Sequence, residues 1–296
     1  CCISPQVYLA TTRAEILAGQ QSKYVTVSMN QCIREIWKHG KDKKFAFVGL
    51  GCHLQGLRKA ERRIPKLKER IVLRIGLFCG HNMNVLGTKH LLRLVNVSLQ
   101  DVEYIEYRAK EWPGNFLVRV KDGGERTIRH PHWTSYVLTL YEKWRCRFCI
   151  DPLNQLADIS LGDPWLKELS GNKGENVIIT RTTQGVKFLR GAVSKGLIKI
   201  SYLPPEKVIE SQKRILYRKK HLILAYMRLA RRFGYSIPEY TGLPKEQKLL
   251  LHDCFTTISL EVLRCLAAKQ ALQAIVPWFG KMYINFKDYA RGFGKA

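Results

Sequence analysis

Residues 43–80, KKFAFVGLGCHLQGLRKAERRIPKLKERIVLRIGLFCG, hold two copies of one design. In each, a short apolar run ends in glycine and cysteine: KKFAFVGLGC closes on Gly49, Gly51 and Cys52, and IVLRIGLFCG closes on Cys79. Apolar runs of this length, bounded by turn signals, are what buried strands leave in a sequence. The basic stretch from Leu57 to Arg70 between them reads as a crossover helix. If the two strands are neighbours in one sheet, Cys52 and Cys79 converge, because ligands in open α/β sheets gather beyond the carboxyl ends of the strands. The Gly49-x-Gly51 pair is by itself only a turn signal. The expected fold is α/β (α+β): a mixed sheet with flanking helices, an antiparallel hairpin insertion and a helical carboxyl-terminal region.

A second pair of cysteines follows in CRFCIDPLNQLADISLGDPW, where Cys146 and Cys149 stand close together in a Cys-x-x-Cys motif. With Cys52 and Cys79 they supply four thiolates, the number that holds a tetrahedral zinc or a cubane iron–sulfur cluster. Structural zinc sites usually use two close pairs, whereas here one pair is joined by two distant singletons. Spacing does not separate cluster from zinc, and buried, unliganded cysteines remain a third reading.

The wording around the cysteines is more specific. GLGCHLQGLRKAERRIPKLKERIVLRIGLFCGHN followed by CRFCIDPLNQLADISLGDPW resembles the coenzyme F420 hydrogenase/dehydrogenase beta-subunit family, which includes 7-hydroxymethyl chlorophyll a reductase. The resemblance runs from about Thr11 to about Ala192 and takes in the SKY element at Ser22, Lys23 and Tyr24 and the later segment NVIITRTTQGVKFL. It implies an oxidoreductase with FAD or FMN and a [4Fe–4S] cluster whose ligands are Cys52, Cys79, Cys146 and Cys149. It further implies a small-molecule hydride donor or acceptor, coenzyme F420 or similar, and ferredoxin or another redox subunit as one-electron partner. Members usually carry a Gly-rich segment before the SKY element, and often a ferredoxin-like cysteine run before that. This chain opens at CCISPQVYLATTRAEILAGQQSKY, so part of that amino-terminal region is expected to be lacking, with Cys1 and Cys2 as its remnant.

Candidate flavin contacts come from several segments. NVIITRTTQG reads as a strand running into a helix from Val186 to Val193, and its turn carries Arg181 and Thr182; hydroxyl, guanidinium and amide groups there suit a pyrophosphate. Ser22, Lys23 and Tyr24 are candidates by resemblance. Asp158 and Asp163 in LADISLGDPW are candidates for flavin hydroxyls, with Asx-turn roles as the alternative. Residues 102 to 130 alternate apolar and polar around a DGG turn at Asp122 to Gly124, as an antiparallel insertion folded over the cofactor region would. His130 and His132 near its end are candidate proton donors or phosphate contacts. Upstream, Ser28 to Lys38 has helical spacing, with Asn30 a candidate cap and Cys32 a packing residue. No catalytic residue is assigned.

Length and composition bound the rest. The 296 residues, 46% hydrophobic, suffice for a substantial core in one or two domains. The expected division is an oxidoreductase domain over 1–203 and a basic helical region over 204–296. Nine cysteines, several standing singly, fit a reducing cytoplasm better than a disulfide framework. No apolar run is long enough for a transmembrane helix. The net charge of +26 suits an acidic electron carrier, nucleic acid or an anionic surface.

Between Ser211 and Pro238 there is no Asp or Glu, while Tyr217, Tyr226, Phe233 and Tyr235 interleave with lysines and arginines. Such a face docks an acidic ferredoxin or forms a solvated helix packed through Ile215, Leu222 and Leu229. A zinc-stapled nucleic-acid-binding module and a flavin-free electron relay are the rival functions, and nucleic acid is the less favoured partner. A helix over Ser259 to Val276 is expected before Pro277, with Cys254 and Cys265 structural. The basic-aromatic ending WFGKMYINFKDYARGFGKA leaves room for peripheral membrane contact.

Overall fold

The computed structural model describes residues 5–169, 175–240 and 251–269. Strand β1 (Phe45–Leu50) pairs in parallel with β2 (Ile71–Leu77). Between them run two helices rather than one: α3 (Gly51–Arg63) and α4 (Pro65–Arg70). Pro65 lacks the amide hydrogen that a continuous helix would need, and it opens α4 at its first position instead. Leu54, Leu57 and Leu67 on these helices are fully buried against Phe47 and Ile71 of the strands, together with Ile36 of α2 (Asn30–His39). Each such leucine contributes about 1.5–3 kcal/mol. Asn30 is the first residue of α2 and not its cap: Met29 holds the cap position without a side-chain bond. Cys32 on this helix is buried. The short α1 (Arg13–Ala18) is closed by a capping box between Thr12 and Glu15.

After β2, helix α5 (Val85–Leu94) leads to three strands, β3 (Val102–Ala109), β4 (Asn115–Val120) and β5 (Glu125–Ile128). The antiparallel insertion is thus a three-stranded meander, one strand larger than a hairpin. Its DGG turn forms as expected, with Gly123 at φ +85° and the Asp122 carboxylate accepting from the Gly124 amide at 2.8 Å. Helix α6 (His132–Leu140) returns the chain along this sheet. Trp133 is fully buried there among Tyr107, Phe116 and Met83.

The chain then rejoins the first sheet. Strand β6 (Ile159–Gly162) runs parallel to β2, and β7 (Val177–Thr180) closes the edge antiparallel to β6, giving the order β1-β2-β6-β7. Helix α7 (Thr183–Ser194) starts three residues before the expected Val186, capped by the Thr182 hydroxyl. The fold is α+β, with one mixed and one antiparallel sheet and flanking helices.

Beyond Pro204 the described chain is helical: α8 (Pro205–Ser211), α9 (Lys213–Tyr217), a π-helical turn over Arg218–Leu222, α10 (Ile223–Arg232) and α11 (Leu251–Ala268). Leu222, Ile223, Tyr226, Met227 and Ala230 form a core with Phe148 of the Cys-x-x-Cys segment. Tyr226 is therefore buried rather than displayed on a basic surface, whereas Phe233 and Tyr235 are exposed. Helix α11 begins at Leu251, earlier than Ser259. The stretch 270–296, with Pro277 and the basic-aromatic ending, lies outside the described residues, as do Cys1 and Cys2. Among the described residues no helix is long and apolar enough to cross a membrane.

Candidate functional site

Strands β1 and β2 end in register, with Leu50 opposite Leu77, so Cys52 and Cys79 each stand two residues past the paired ends. Cys52 lies in the first turn of α3, not in a loop, because the strand passes directly into the helix at Gly51. Cys146 sits on a 3-10 turn over Trp144–Phe148, and Cys149 follows in extended backbone. The amide of Cys79 donates to the carbonyl of Pro152 at 2.9 Å, and that of Cys149 to the carbonyl of Cys146 at 3.3 Å.

One buried side chain holds these loops together. The Asn154 amide donates to the carbonyls of Gly49, at 2.8 Å, and Leu77, at 3.4 Å, and so ties the ends of β1 and β2 to the loop after Cys149. Asn154 has φ +56°, a left-handed conformation that asparagine tolerates better than most residues. The backbone approach is close enough to demand glycine on the other side: a Cβ at Gly76 would collide with the Asn154 amide, and one at Gly51 would stand 2.9 Å from the Asp151 carboxylate.

The four thiols share one electrostatic neighbourhood. Burial pushes the Cys79 thiol up to about 12, and negative charge on Cys146, Cys149 or Cys52 raises it further. Burial likewise raises Cys52, which keeps some exposed surface, and Cys146. The ammonium of Lys219, in the π-helical turn, acts in the opposite sense on all three. Among the described residues no three His, Cys, Asp or Glu side chains converge on a point that a single ion would fill.

A second locus lies where the meander meets the loop after β6. Gln21, Ser22, Arg108, Lys110, Trp112 and Asp163 line a cleft of about 250 Å³. Arg108 donates to the Asp163 carboxylate at 2.6 Å and to the carbonyl of Pro113 at 2.7 Å. Trp112 packs on Trp165 at 5.0 Å, and His130 stacks on Trp165 at 5.9 Å. Tyr24 is held edge-on against Trp133 and Tyr107, and burial raises its phenol. Lys23 turns away, its ammonium bonded to the carbonyls of Gly19 and Gln20.

Asp158, Arg181 and Thr182 form a third group whose functional atoms are engaged by protein. Asp158 accepts from the Arg74 amide at 2.8 Å and from the Thr182 hydroxyl at 3.0 Å. Arg181 bonds Ser160 and donates to the carbonyl of Leu153 at 3.0 Å. Thr182 also caps α7 by accepting from the Gly185 amide at 3.1 Å. The structure therefore brings Ser22 and Asp163 to one cleft, with Tyr24 electrostatically coupled to Arg108 and Asp163, and sets Asp158, Arg181 and Thr182 apart as a brace between β2, β6 and α7.

Residues 42–206 match the family model that describes the C terminus of the coenzyme F420 hydrogenase/dehydrogenase beta subunit. The chain belongs to this family. Membership makes it an oxidoreductase subunit. Among curated relatives, the coenzyme F420 hydrogenase subunit beta of Methanosarcina barkeri is 25% identical over 73% of this chain and 75% of its own length. Its counterpart in Methanococcus voltae is 27% identical over 67% of this chain and 66% of its own. An uncharacterized protein of Methanocaldococcus jannaschii is 25% identical over 74% of this chain and 77% of its own. The F420-reducing [NiFe] hydrogenase complex from Methanosarcina barkeri contains a chain with the same fold, at TM-score 0.59 and 21% identity, over 80% of this chain and 79% of that one.

The stretch that matches the family holds Cys52, Cys79, Cys146 and Cys149, while Ser22 to Tyr24 and Lys219 lie outside it. Sequence reasoning missed Asn154, Arg108 and Lys219. Asn154 stands within DPLNQ, and an asparagine between turn residues is the available signal. Arg108 and Lys219 have none, since each is one basic residue among many.

Proposed function

We propose that this chain is an iron–sulfur flavoprotein that moves electrons between a hydride-type substrate, coenzyme F420 or a similar molecule, at a flavin and ferredoxin or a partner subunit through a [4Fe–4S] cluster. The observation that carries the reading is the gathering of Cys52, Cys79, Cys146 and Cys149 at the carboxyl ends of β1 and β2, with a cation beside them. Four thiolates are the ligand set of a cubane cluster. One close Cys-x-x-Cys pair joined by two distant single cysteines suits a cluster cradled by the fold better than a zinc ribbon, which usually uses two close pairs.

When bound, a flavin takes a two-electron hydride and passes single electrons onward, with the protein setting position and potential. In this chain Asn154 holds the two strand-end loops in register, and the 3-10 turn presents Cys146 beside Cys79. The cleft at Ser22 and Asp163 is smaller than the ~300–1,000 Å³ of pockets that enclose a whole drug-sized ligand. It therefore suits one portion of a flavin, with Lys110 to meet negative charge, Arg108 held in place by Asp163, and Trp112 to cover an apolar face. Arg181 is engaged through both its side chain and its amide, which donates to the Asp158 carbonyl at 3.0 Å, so a flavin phosphate would meet this turn only at the backbone amides of Thr182 and the first residues of α7. We also propose the division into a cofactor-bearing part over 1–203 and a basic helical part over 204–296. Thiols that are free at the seven described cysteines suit a reducing compartment such as the cytoplasm. In the F420-reducing hydrogenase complex the similar chain is part of a larger assembly, and a redox subunit is the expected partner here.

Anaerobic purification with visible spectroscopy and assays of iron, acid-labile sulfide and flavin on one sample tests the reading. About four irons with flavin are expected; cluster without flavin would leave a relay, and zinc alone would overturn the proposal. Cys146→Ser and Cys149→Ser should each remove most of the cluster absorbance while the far-ultraviolet spectrum stays close to that of the parent. Full absorbance in both variants would refute the ligand set.

A further inference from the structure

Lys219 is 3% exposed, although lysine is almost never fully buried unless paired. It belongs to the π-helical turn Arg218–Leu222, a form seen mostly as single turns and frequently at functional sites. The segment around it is laid over the loop that carries Cys79. A Cβ at Gly80 would stand 3.2 Å from the Ile215 side chain, and Arg218 contacts His81 on the same loop. The neighbouring charges are satisfied by carboxylates: Arg218 pairs with Glu142, and His221 lies 3.5 Å from Asp253. Among the described residues no carboxylate forms such a pair with Lys219, so its burial is costly unless another anion faces it. The covered loop is itself fastened to the Cys-x-x-Cys segment, since the Cys79 amide donates to the carbonyl of Pro152 at 2.9 Å and the Lys143 amide to that of Asn82 at 3.0 Å.

We propose that Lys219 is a positioning residue that supplies a fixed positive charge to the centre held by the four cysteines and stabilises its reduced, more negative state. The proposal rests on the iron–sulfur reading above. It assigns a role at the site to the carboxyl-terminal helical region, beyond the residues 42–206 that match the family. Charge near a cluster is one of the terms that set its potential, and a buried cation acts with little screening from salt. Addition of one electron from the redox partner increases the negative charge of the centre, so a neighbouring ammonium favours that state.

The test is an anaerobic redox titration followed by cluster absorbance, on the parent, Lys219→Met, Lys219→Arg and the exposed-neighbour control Lys220→Met. Lys219→Met is expected to hold about tenfold less reduced cluster at a fixed potential, a midpoint lower by ~59 mV for one electron. Lys219→Arg, which keeps the charge, should stay within about threefold of the parent. Lys219→Gln replaces Lys219→Met should the latter fail to fold. Unchanged titration in the Met or Gln variant, with iron and sulfide retained, would overturn the proposal and leave the cluster assignment standing. A shift of the same size in Lys220→Met would also overturn it, since any lysine would then serve. Absence of iron and sulfide from the parent would instead refute the reading on which the proposal rests.

Discussion

Asn154 bears more on the site than any residue except the cysteines. Its side-chain amide supplies hydrogens to the carbonyls that end both β1 and β2, and it is fully buried. Truncation to alanine leaves the Gly49 carbonyl buried without this donor, a loss of about 1–3 kcal/mol. Asn154→Ala is expected to lower the urea midpoint by a corresponding amount and to reduce cluster loading, because the loop after Cys149 loses its tie to the strand ends. Asn154→Asp should be worse, since a carboxylate would face two carbonyl oxygens; equal stability of the two variants would contradict this account. At this scale the sequence is half legible. The cysteines are visible because glycine and proline punctuate their segments, but Asn154 carries its meaning in a backbone angle and two distant partners, which no local pattern encodes. Arg181 and Thr182 show the converse. Their chemistry suits a phosphate, yet the fold presents Ser160, the Leu153 carbonyl and Asp158 to them first.

Among the elements, the crossover between β1 and β2 is fastened by charge as well as by leucine. Glu61 on α3 accepts from Arg74 on β2 at 2.6 and 2.9 Å, with Arg58 3.3 Å away and Asp158 3.6 Å from Arg74. Both Glu61 and Arg74 are buried. Removal of one partner of a buried pair costs ~3–5 kcal/mol, and Glu61→Ala should fall near the lower end because Asp158 still faces the guanidinium. Thermal unfolding measures this. A loss well under ~1 kcal/mol would show that the pair behaves as a surface contact. The strand-helix-strand order here is legible from periodicity and the DGG turn from its glycines, whereas Thr182, read as a phosphate contact, serves as the cap of α7. The break at Pro65 is a boundary that the proline signals and that a single crossover helix overlooks. The brace of Glu61, Arg74 and Asp158 is invisible because residues on the three elements it joins are far apart in the chain.

For the whole molecule, the net charge of +26 is the dominant long-range property. If the one-electron partner is acidic, its association should be steered electrostatically, with a rate that falls steeply with ionic strength. Stopped-flow reduction by an acidic ferredoxin is expected to slow by about tenfold or more between low salt and ~0.5 M salt. A rate independent of salt would remove steering by the basic surface from the account. Composition makes this charge plain, but not which residues carry it at the surface. Arg218, Lys219 and Arg264 face inward, where Glu142 and the thiols take up their charge. A run of basic residues on a helix looks the same in sequence whichever way it faces.

The four cysteine-bearing segments leave the ribosome at very different times. Cys52 and Cys79 emerge early, the Cys-x-x-Cys turn follows the whole meander, and the core that seats Phe148 is completed only by helices α10 and α11. Domains generally fold from the amino terminus during synthesis, so the nascent chain must carry exposed, unmatched thiols until its last third appears. If the four thiols hold the proposed cluster, its loading is confined to a late stage of the protein's life, and premature release of the chain would leave a thiol-bearing sheet without its cover.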